Sequence, residues 1–328
     1  MKNIAKNAAV RTRDKVFSRL TKTINDLEHK VASLEQTQSQ ILDEQRGGLA
    51  KIKQLNPPTL QVSDDEVIVK IFSDVKISLS LKDISVTPHL ALDGIWERDV
   101  TFAWLRALRK SDIVLDIGAN FGYFGLLAAQ QTHGYGGRTI FFEANPNLIA
   151  NIQKTLSINN YHEFSQIENV AVSNKKGQVT LNILQDYIGS SSVNSMEHLD
   201  EYIGNKMPLK KQSSVKVQAV SIDDYCVDNA IKNLDLIKMD IEGYEDTAYE
   251  GMRKAIESSK GVTMFIEFTK NSYKKPEAFY SDMLKDFGRV YTIDSNGDFI
   301  TPSDNSYDSV LGDTEDWKML VFSKKELK

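Results

Sequence analysis

The stretch DIVLDIGANFGYFGLLAAQQ, residues 112–131, constrains the fold more than any other part of the chain. An apolar run ends in Asp116, turns through Gly118 and Gly122, and restarts as a helix. A buried strand that passes through glycines into a helix is the opening unit of a doubly wound α/β sheet. The first amides of such a helix have no partner within it, so they face whatever polar group sits on the turn.

The rest of the chain repeats the alternation. RTIFFEA reads as a strand, PNLIANIQKTLSINN as a helix and IENVAVS as a strand. QVTLNIL and VKVQAVS are further strands, and LDLIKMD is a buried one. EDTAYEGMRKAIES is a helix, GVTMFIEF a strand and PEAFYSDMLKDFG a helix, followed by strands RVYTID and KMLVFSK. This order implies right-handed crossovers and a mostly parallel sheet with helices on both faces. No helix separates the last two strands, so one of them runs antiparallel. Upstream, EVIVKIFSDVKISLSL alternates apolar and polar residues and reads as a β-hairpin region. Residues Trp96 to Arg109 have helical periodicity.

Composition narrows the class. Of 328 residues, 41% are hydrophobic and 26% charged, ordinary for a soluble globular protein. The formal net charge of -5 makes no case for nucleic acid. Cys226 stands alone, so no intrachain disulfide can form, which suits a reducing cytoplasm. No run approaches the ~20 apolar residues of a membrane span. The opening MKNIAKNAAVRTRDK has positive charge but no apolar core behind it, and does not read as a secretory signal.

Residues 17–41 carry a heptad, with Phe17, Ile24, Val31 and Gln38 at a and Leu20, Leu27, Leu34 and Ile41 at d. Branched residues at a with leucine at d favour a parallel two-stranded coil. The expected organisation is an N-terminal coiled-coil helix over 1–46, a linker over 47–59 and an α/β domain over 60–328. Gly47-Gly48 and Pro57-Pro58 mark the linker. Self-association through 17–41 makes the expected assembly a parallel homodimer. Basic residues between Lys2 and Arg19 would gather at one end of that coil, which suits peripheral contact with an anionic membrane.

In a doubly wound sheet, ligands bind at the carboxyl ends of the strands, near the point where strand order reverses. Asp116 closes the first core strand, Gly118 allows the tight turn, and Gly122 lets backbone approach ligand. A dinucleotide fingerprint needs G-x-G-x-x-G, but Asn120 and Tyr123 stand at its second and third glycines. That weakens the case for NAD. Glu143, in FFEANP, ends the second strand, where an acid accepts hydrogen bonds from both hydroxyls of a ribose. The combination fits S-adenosylmethionine, with Glu143 on the ribose and the turn under the amino-acid end.

At these residues the sequence resembles the FkbM-type methyltransferase family. The matching pieces are WERDVTFAWL, VLDIGANFGYFG, FFEANP, ENVAVSNKKGQVTL, VKVQAVSIDDYC, LDLIKMDIEGYE and FIEF, in family order over roughly 60–325. The resemblance implies a class I methyltransferase, Rossmann-like, with a seven-stranded sheet whose last strand is antiparallel. It implies S-adenosyl-L-methionine as cofactor and O-methyl transfer to a hydroxyl of a glycan, glycolipid or similar metabolite, as in polysaccharide biosynthesis. The cofactor site carries over onto Asp116, Gly118, Asn120, Gly122 and Glu143. Asn169 and Ala171, on the third strand tip, are expected near the adenine.

A hydroxyl is a poor acid, so methyl transfer to it calls for a general base or a metal. In LDLIKMDIEGYE, strand alternation would point Lys238, Asp240 and Glu242 to one side at the ligand end of the sheet. Glu267, in FIEF, joins them from the next strand tip. Asp240 is the preferred base, with Glu267 or Glu242 as alternatives. The acids also precede a helix, where negative charge is favourable without any catalytic role. The five histidines show no paired ligand spacing, which leaves metal use open. Ser191 and Ser192, in the polar insertion YIGSSSVNSMEHLDEYIGNKMPLKKQ, are candidates for acceptor hydroxyls. Trp96 and Glu97 either cover the cofactor or serve the core. Two other functions fit less well: a coiled-coil scaffold with an inactive methyltransferase-like domain, and a nicotinamide-dependent oxidoreductase.

Overall fold

A computed structural model of the chain describes residues 58–110, 112–184, 191–193, 212–312 and 317–327. All lie in one compact unit, Asn56–Lys328. The heptads of 17–41, the linker glycines and most of the polar insertion lie outside the described residues.

The central sheet has eight strands: β4 (Ile113–Ile117), β5 (Arg138–Phe142), β6 (Ser165–Glu168), β10 (Leu236–Met239), β11 (Thr263–Phe268), β12 (Val290–Ile293), β13 (Phe299–Ile300) and β14 (Lys318–Ser323). Their order across the sheet is β13-β12-β14-β11-β10-β4-β5-β6. From β6 to β11 every pairing is parallel, and β14 runs antiparallel between β11 and β12. The parallel strands are buried on both faces, which is why they read as near-continuous apolar runs. Seven of the strands have the layout the family resemblance implies; the eighth, the two-residue β13, is an addition at the edge. The chain moves outward from β4 to β6, then crosses back to β10. Strand order therefore reverses between β4 and β10, the position at whose carboxyl ends open α/β sheets generally bind ligands.

Two expected elements are divided. IENVAVS is not one strand: β6 stays in the central sheet, while Ala171–Val172 leave as β7 to pair with β9 (Gln212–Val220). Glu143 ends the β5–β6 ladder by donating its amide to the Glu168 carbonyl, and Asn169 Nδ2 then donates to the Glu143 carbonyl at 2.8 Å. With β8 (Gly177–Leu184), these strands form a separate sheet, order β7-β9-β8, closed over Ala171, Leu181, Ile183, Val217 and Ala219. The expected helix over 245–258 also breaks in two at Gly251, where a Cβ would lie 2.2 Å from the Ser173 carbonyl oxygen. Close approach of the chain just past β7 leaves room only for glycine at that break.

Upstream, β1 (Thr59–Gln61), β2 (Glu66–Lys70) and β3 (Lys76–Ser80) form an antiparallel sheet in that order. Two short helices follow, α1 (Val86–Asp93) and α2 (Arg98–Ala107). Between β4 and β5 runs α3 (Tyr123–Thr132), and after β5 runs α4 (Pro146–Asn159). Asn145 caps α4 by accepting the Asn147 amide at 3.0 Å, with Pro146 as the first helical residue. The Asn159 side chain accepts the Lys76 amide and donates to the Lys76 carbonyl, so α4 covers the open edge of β3 as a further strand would.

Candidate active site

The site is built on four strand ends. Asp116 sits in β4 opposite Lys238 of β10, and both are buried. Asp116 Oδ2 accepts the Gly125 amide at 2.7 Å, which ties the strand to the first turn of α3. Burial raises the Asp116 carboxyl to about 6, with the Lys238 ammonium and that amide opposing the rise.

The glycines divide their work differently from the sequence reading. Gly118, with a φ of +79°, lies so close to the β10 end that a Cβ on it would stand 1.8 Å from the Asp240 carbonyl oxygen. Its requirement is chain against chain. Gly122, with a φ of +84°, caps α3, and a Cβ there would meet the Phe141 and Ile152 side chains at 3.3–3.5 Å. The hydrogen side of Gly122 thus faces the core. The glycine overlooked in the sequence is Gly125, where a Cβ would lie 2.2 Å from the Phe141 ring. It provides the close helix–strand packing of the third glycine in a dinucleotide turn, at a different spacing.

Glu143, just past β5, is buried and receives the Asn120 amide on Oε2 and the Asn145 amide on Oε1, each at 2.7 Å. Burial pushes its carboxyl up to about 7, against those amides. One carboxylate thereby joins the β4 turn to the start of α4. Asn120 holds a left-handed φ of 55°, and its Oδ1 is buried without a hydrogen-bond partner among the described residues. Asn169 spends its side-chain amide on the Glu143 and Ala144 carbonyls. Ala171 is not on the β6 tip with it: its methyl is packed in the second sheet.

Lys238 Nζ lies 2.8 Å from Asp240 Oδ2 and 4.5 Å from the centre of the Phe124 ring. Burial alone would lower the lysine, but Asp240, Glu97 and Asp116 outweigh it and raise its pKa, so it stays an ammonium. Glu267, half-buried at the end of β11, is raised well above the usual carboxyl range by burial and by Asp240, Glu242, Glu245 and Glu97. Lys238 pairs with Asp240, and Asp240 in turn acts on Glu267. Glu242 departs from strand alternation, with a left-handed φ of 56°. Its carbonyl accepts the Ser192 hydroxyl at 2.7 Å, which ties the insertion to this loop. Ser191 Oγ accepts from Asn145 Nδ2 at 3.1 Å, on the Glu143 side of the site.

Two carboxyls matter more than the sequence suggests. Glu245, fully buried at the start of α5 (Glu245–Glu250), accepts the Ile241 and Gly243 amides at 2.9 and 3.3 Å. Tyr273 Oη lies 3.0 Å from its other oxygen. Burial raises Glu245 to about 7, with the Ile241 amide opposing. The loop that carries Asp240 is thus shaped by a side chain from the helix after it; an acid two residues past Gly243 was the available signal. Glu97, at the start of α2, is raised to about 7 by burial, with Lys238 opposing and Asp240 and Asp99 adding to the rise. Its Oε2 is buried with no hydrogen-bond partner among the described residues. Trp96 beside it is half-buried and stands edge-on to His89, with ring centres 5.4 Å apart. Among the described residues no group of three or more histidine, cysteine or acidic side chains is arranged to hold a metal ion. None of their helices is long and apolar enough to cross a membrane.

Among solved structures, the chain is similar to the methyltransferase FkbM from Methylobacillus flagellatus KT, at 14% identity and a TM-score of 0.38, over 67% of this chain and 47% of that one. It therefore spans about half the length of that protein. It is also similar to the C-terminal domain of precorrin-6Y C5,15-methyltransferase from Rhodobacter capsulatus, at 14% identity and a TM-score of 0.34, over 69% of this chain and 86% of that one. A third is P. horikoshii TYW2 in complex with MeSAdo, at 10% identity and a TM-score of 0.40, over 84% of this chain and 81% of that one. No protein of curated function matches the chain. The sequence profile described as the methyltransferase FkbM domain matches residues 116–300, from the acid that closes β4 to the edge strand β13. That match covers more than half of the sequence, and the chain belongs to the FkbM methyltransferase family.

Proposed function

We propose that this chain is an S-adenosylmethionine-dependent O-methyltransferase whose acceptor is a hydroxyl of a glycan, glycolipid or similar hydroxylated metabolite. The observation that carries the reading is that Glu143 and the Lys238–Asp240 pair stand at the ends of β5 and β10, either side of β4 at the switch point. The residues suit the cofactor. A carboxylate has about four lone-pair sites, so Glu143 keeps acceptor capacity for a ribose hydroxyl beyond the Asn120, Asn145 and Ala144 amides, and Asn120 Oδ1 offers a further acceptor. When bound, S-adenosylmethionine supplies a methyl group already activated on a sulfonium.

The chain's own part is alignment and proton removal. Alignment can supply ~7–11 kcal/mol when reacting atoms are held in a near-attack geometry. Asp240 is assigned as the base that takes the hydroxyl proton, and the Lys238 ammonium orients it through Oδ2. Glu267 and Glu242 are the alternatives. Ser191 and Ser192 are assigned to the acceptor side, although the Ser192 hydroxyl already holds the Glu242 carbonyl. Asn169 and Ala171 are assigned to the adenine side, Ala171 through its backbone, since its methyl is buried. Self-association through residues 17–41, with peripheral membrane contact through the basic N-terminus in the cytoplasm, completes the reading. Calorimetric titration of the full chain with S-adenosylmethionine and with NAD tests it. Binding of the former alone supports it, binding of NAD alone replaces it with an oxidoreductase, and binding of neither leaves the scaffold reading.

A further inference from the structure

The small sheet β1-β2-β3 has two edges, and the described residues cover only one of them. At β3 the Asn159 side chain holds both the Lys76 amide and its carbonyl. β1 is exposed along its whole length. The Lys70 amide donates to the Pro58 carbonyl and the Val62 amide to the Glu66 carbonyl, each at 3.0 Å. Backbone groups alternate along an antiparallel strand, so Pro58, Leu60 and Val62 bond inward to β2. The amides and carbonyls of Thr59 and Gln61 point outward, and among the described residues no hydrogen bond reaches them. The N–H that Pro58 lacks would fall on the β2 side, which leaves the outer edge intact.

The side chains of β1 are also reversed. Val67 and Val69 turn into the core, and the β1 residues opposite them are the polar Gln61 and Thr59. Leu60 and Val62 stand on the other face, 64% and 40% exposed, with the half-buried Ile68 opposite Leu60. No charge interrupts the strand, although charges commonly keep open edges apart. Its one safeguard is its length of three residues, which makes pairing weak between free chains.

We propose that β1 pairs antiparallel with β1 of a second copy across a two-fold axis at Leu60, joining the two small sheets into one. Such pairing is self-complementary, as a two-fold interface must be. Thr59 exchanges both backbone hydrogen bonds with Gln61 of the partner subunit, and Gln61 with Thr59 of the partner subunit. Leu60 then meets Leu60 of the partner subunit in the closer, non-hydrogen-bonded pairing, with Cα atoms ~4.5 Å apart. This extends the row begun by Ile68 and covers the exposed leucine. The proposal rests on the expected self-association of residues 17–41. From Ile41, the last heptad position, to Thr59 the chain can span at most ~65 Å even fully extended. Within one such dimer, pairing of the two β1 strands is governed by that tether rather than by dilution, which offsets the weakness of a short contact.

Cysteine cross-linking of the full chain tests the register. A disulfide needs Cα atoms within roughly 7 Å, which a pair at Leu60 satisfies and a pair at Gln61, two positions out of register, does not. Under mild oxidation at micromolar protein, Leu60→Cys should form covalent dimer roughly tenfold or more faster than Gln61→Cys. Cys226 is buried, so the unmodified chain serves as the blank. Both substituted side chains are exposed, so neither change disturbs the core. Light scattering gives the oligomeric state of each chain. A dimeric full chain in which both cysteines cross-link equally, or neither does, overturns the edge pairing and leaves the heptad reading standing. A monomeric full chain shows that the heptad reading has failed, and the edge pairing falls with it.

Discussion

Gly118 and Asp240 are in contact across the switch point: a Cβ on Gly118 would lie 1.8 Å from the Asp240 carbonyl oxygen and 2.8 Å from its carbonyl carbon. The turn assigned to the cofactor and the loop assigned to catalysis are thus one packed unit. Gly118→Ala should destabilise the fold by about 3 kcal/mol or more, because a left-handed backbone and a backbone collision add. Denaturant midpoints would measure it, and a variant as stable as the parent would show that the contact can relax.

Gly125→Ala is expected to be milder, at roughly 1–3 kcal/mol. Its collision is with the Phe141 ring, a side chain that can be shortened. Gly125→Ala combined with Phe141→Leu should recover part of the loss. Strict additivity of the two single changes would argue against direct packing.

Stability should fall as pH rises from about 5 to about 7.5. Glu97, Glu143 and Glu245 are each raised from the ordinary 4.5 to about 7, and Asp116 from 3.8 to about 6, all chiefly by burial. Between the unfolded and folded values the native state holds protons that the unfolded chain has shed. Their contribution is therefore complete below the unfolded pKa and is lost through the folded one. Unfolding temperature against pH should show this slope, and Glu143→Gln should flatten it. A profile that rises over the same window would contradict these shifts.

Asp240→Asn should retain cofactor binding and lose about 10²–10⁴-fold in methyl transfer, the usual contribution of a general base. Near-normal turnover with a true acceptor would move the role to Glu267 or Glu242. Lys238→Met should be worse folded, because it leaves Asp116, Asp240 and Glu97 without their shared cation.

The full chain should be dimeric in light scattering, and a chain beginning at Leu60 monomeric. As one helix, residues 10–45 would extend ~54 Å and present a Leu/Ile/Val seam to water, for which pairing is the natural resolution. A monomeric full chain would sink the coiled-coil expectation.

The linear sequence already determined the sheet's mostly parallel direction. Buried parallel strands must be apolar throughout, and the turn after β4 has to contain glycine. Asp116, Glu143, Lys238, Asp240 and Glu267 were legible for the same reason, since an acid or lysine ending an apolar strand is conspicuous. What each residue touches was decided only in three dimensions. Local pattern cannot say that Gly118 answers to a carbonyl 122 residues away, or that Gly122 faces Phe141. Nor can it say that Ala171 leaves the central sheet for a second one. The roles of Glu97 and Glu245 were hidden too, because both come from segments flanking the strands and depend on which amides and charges the folded chain brings beside them. Periodicity records which face of an element is buried. The partner on that face is set by long-range packing, which no short window of sequence contains.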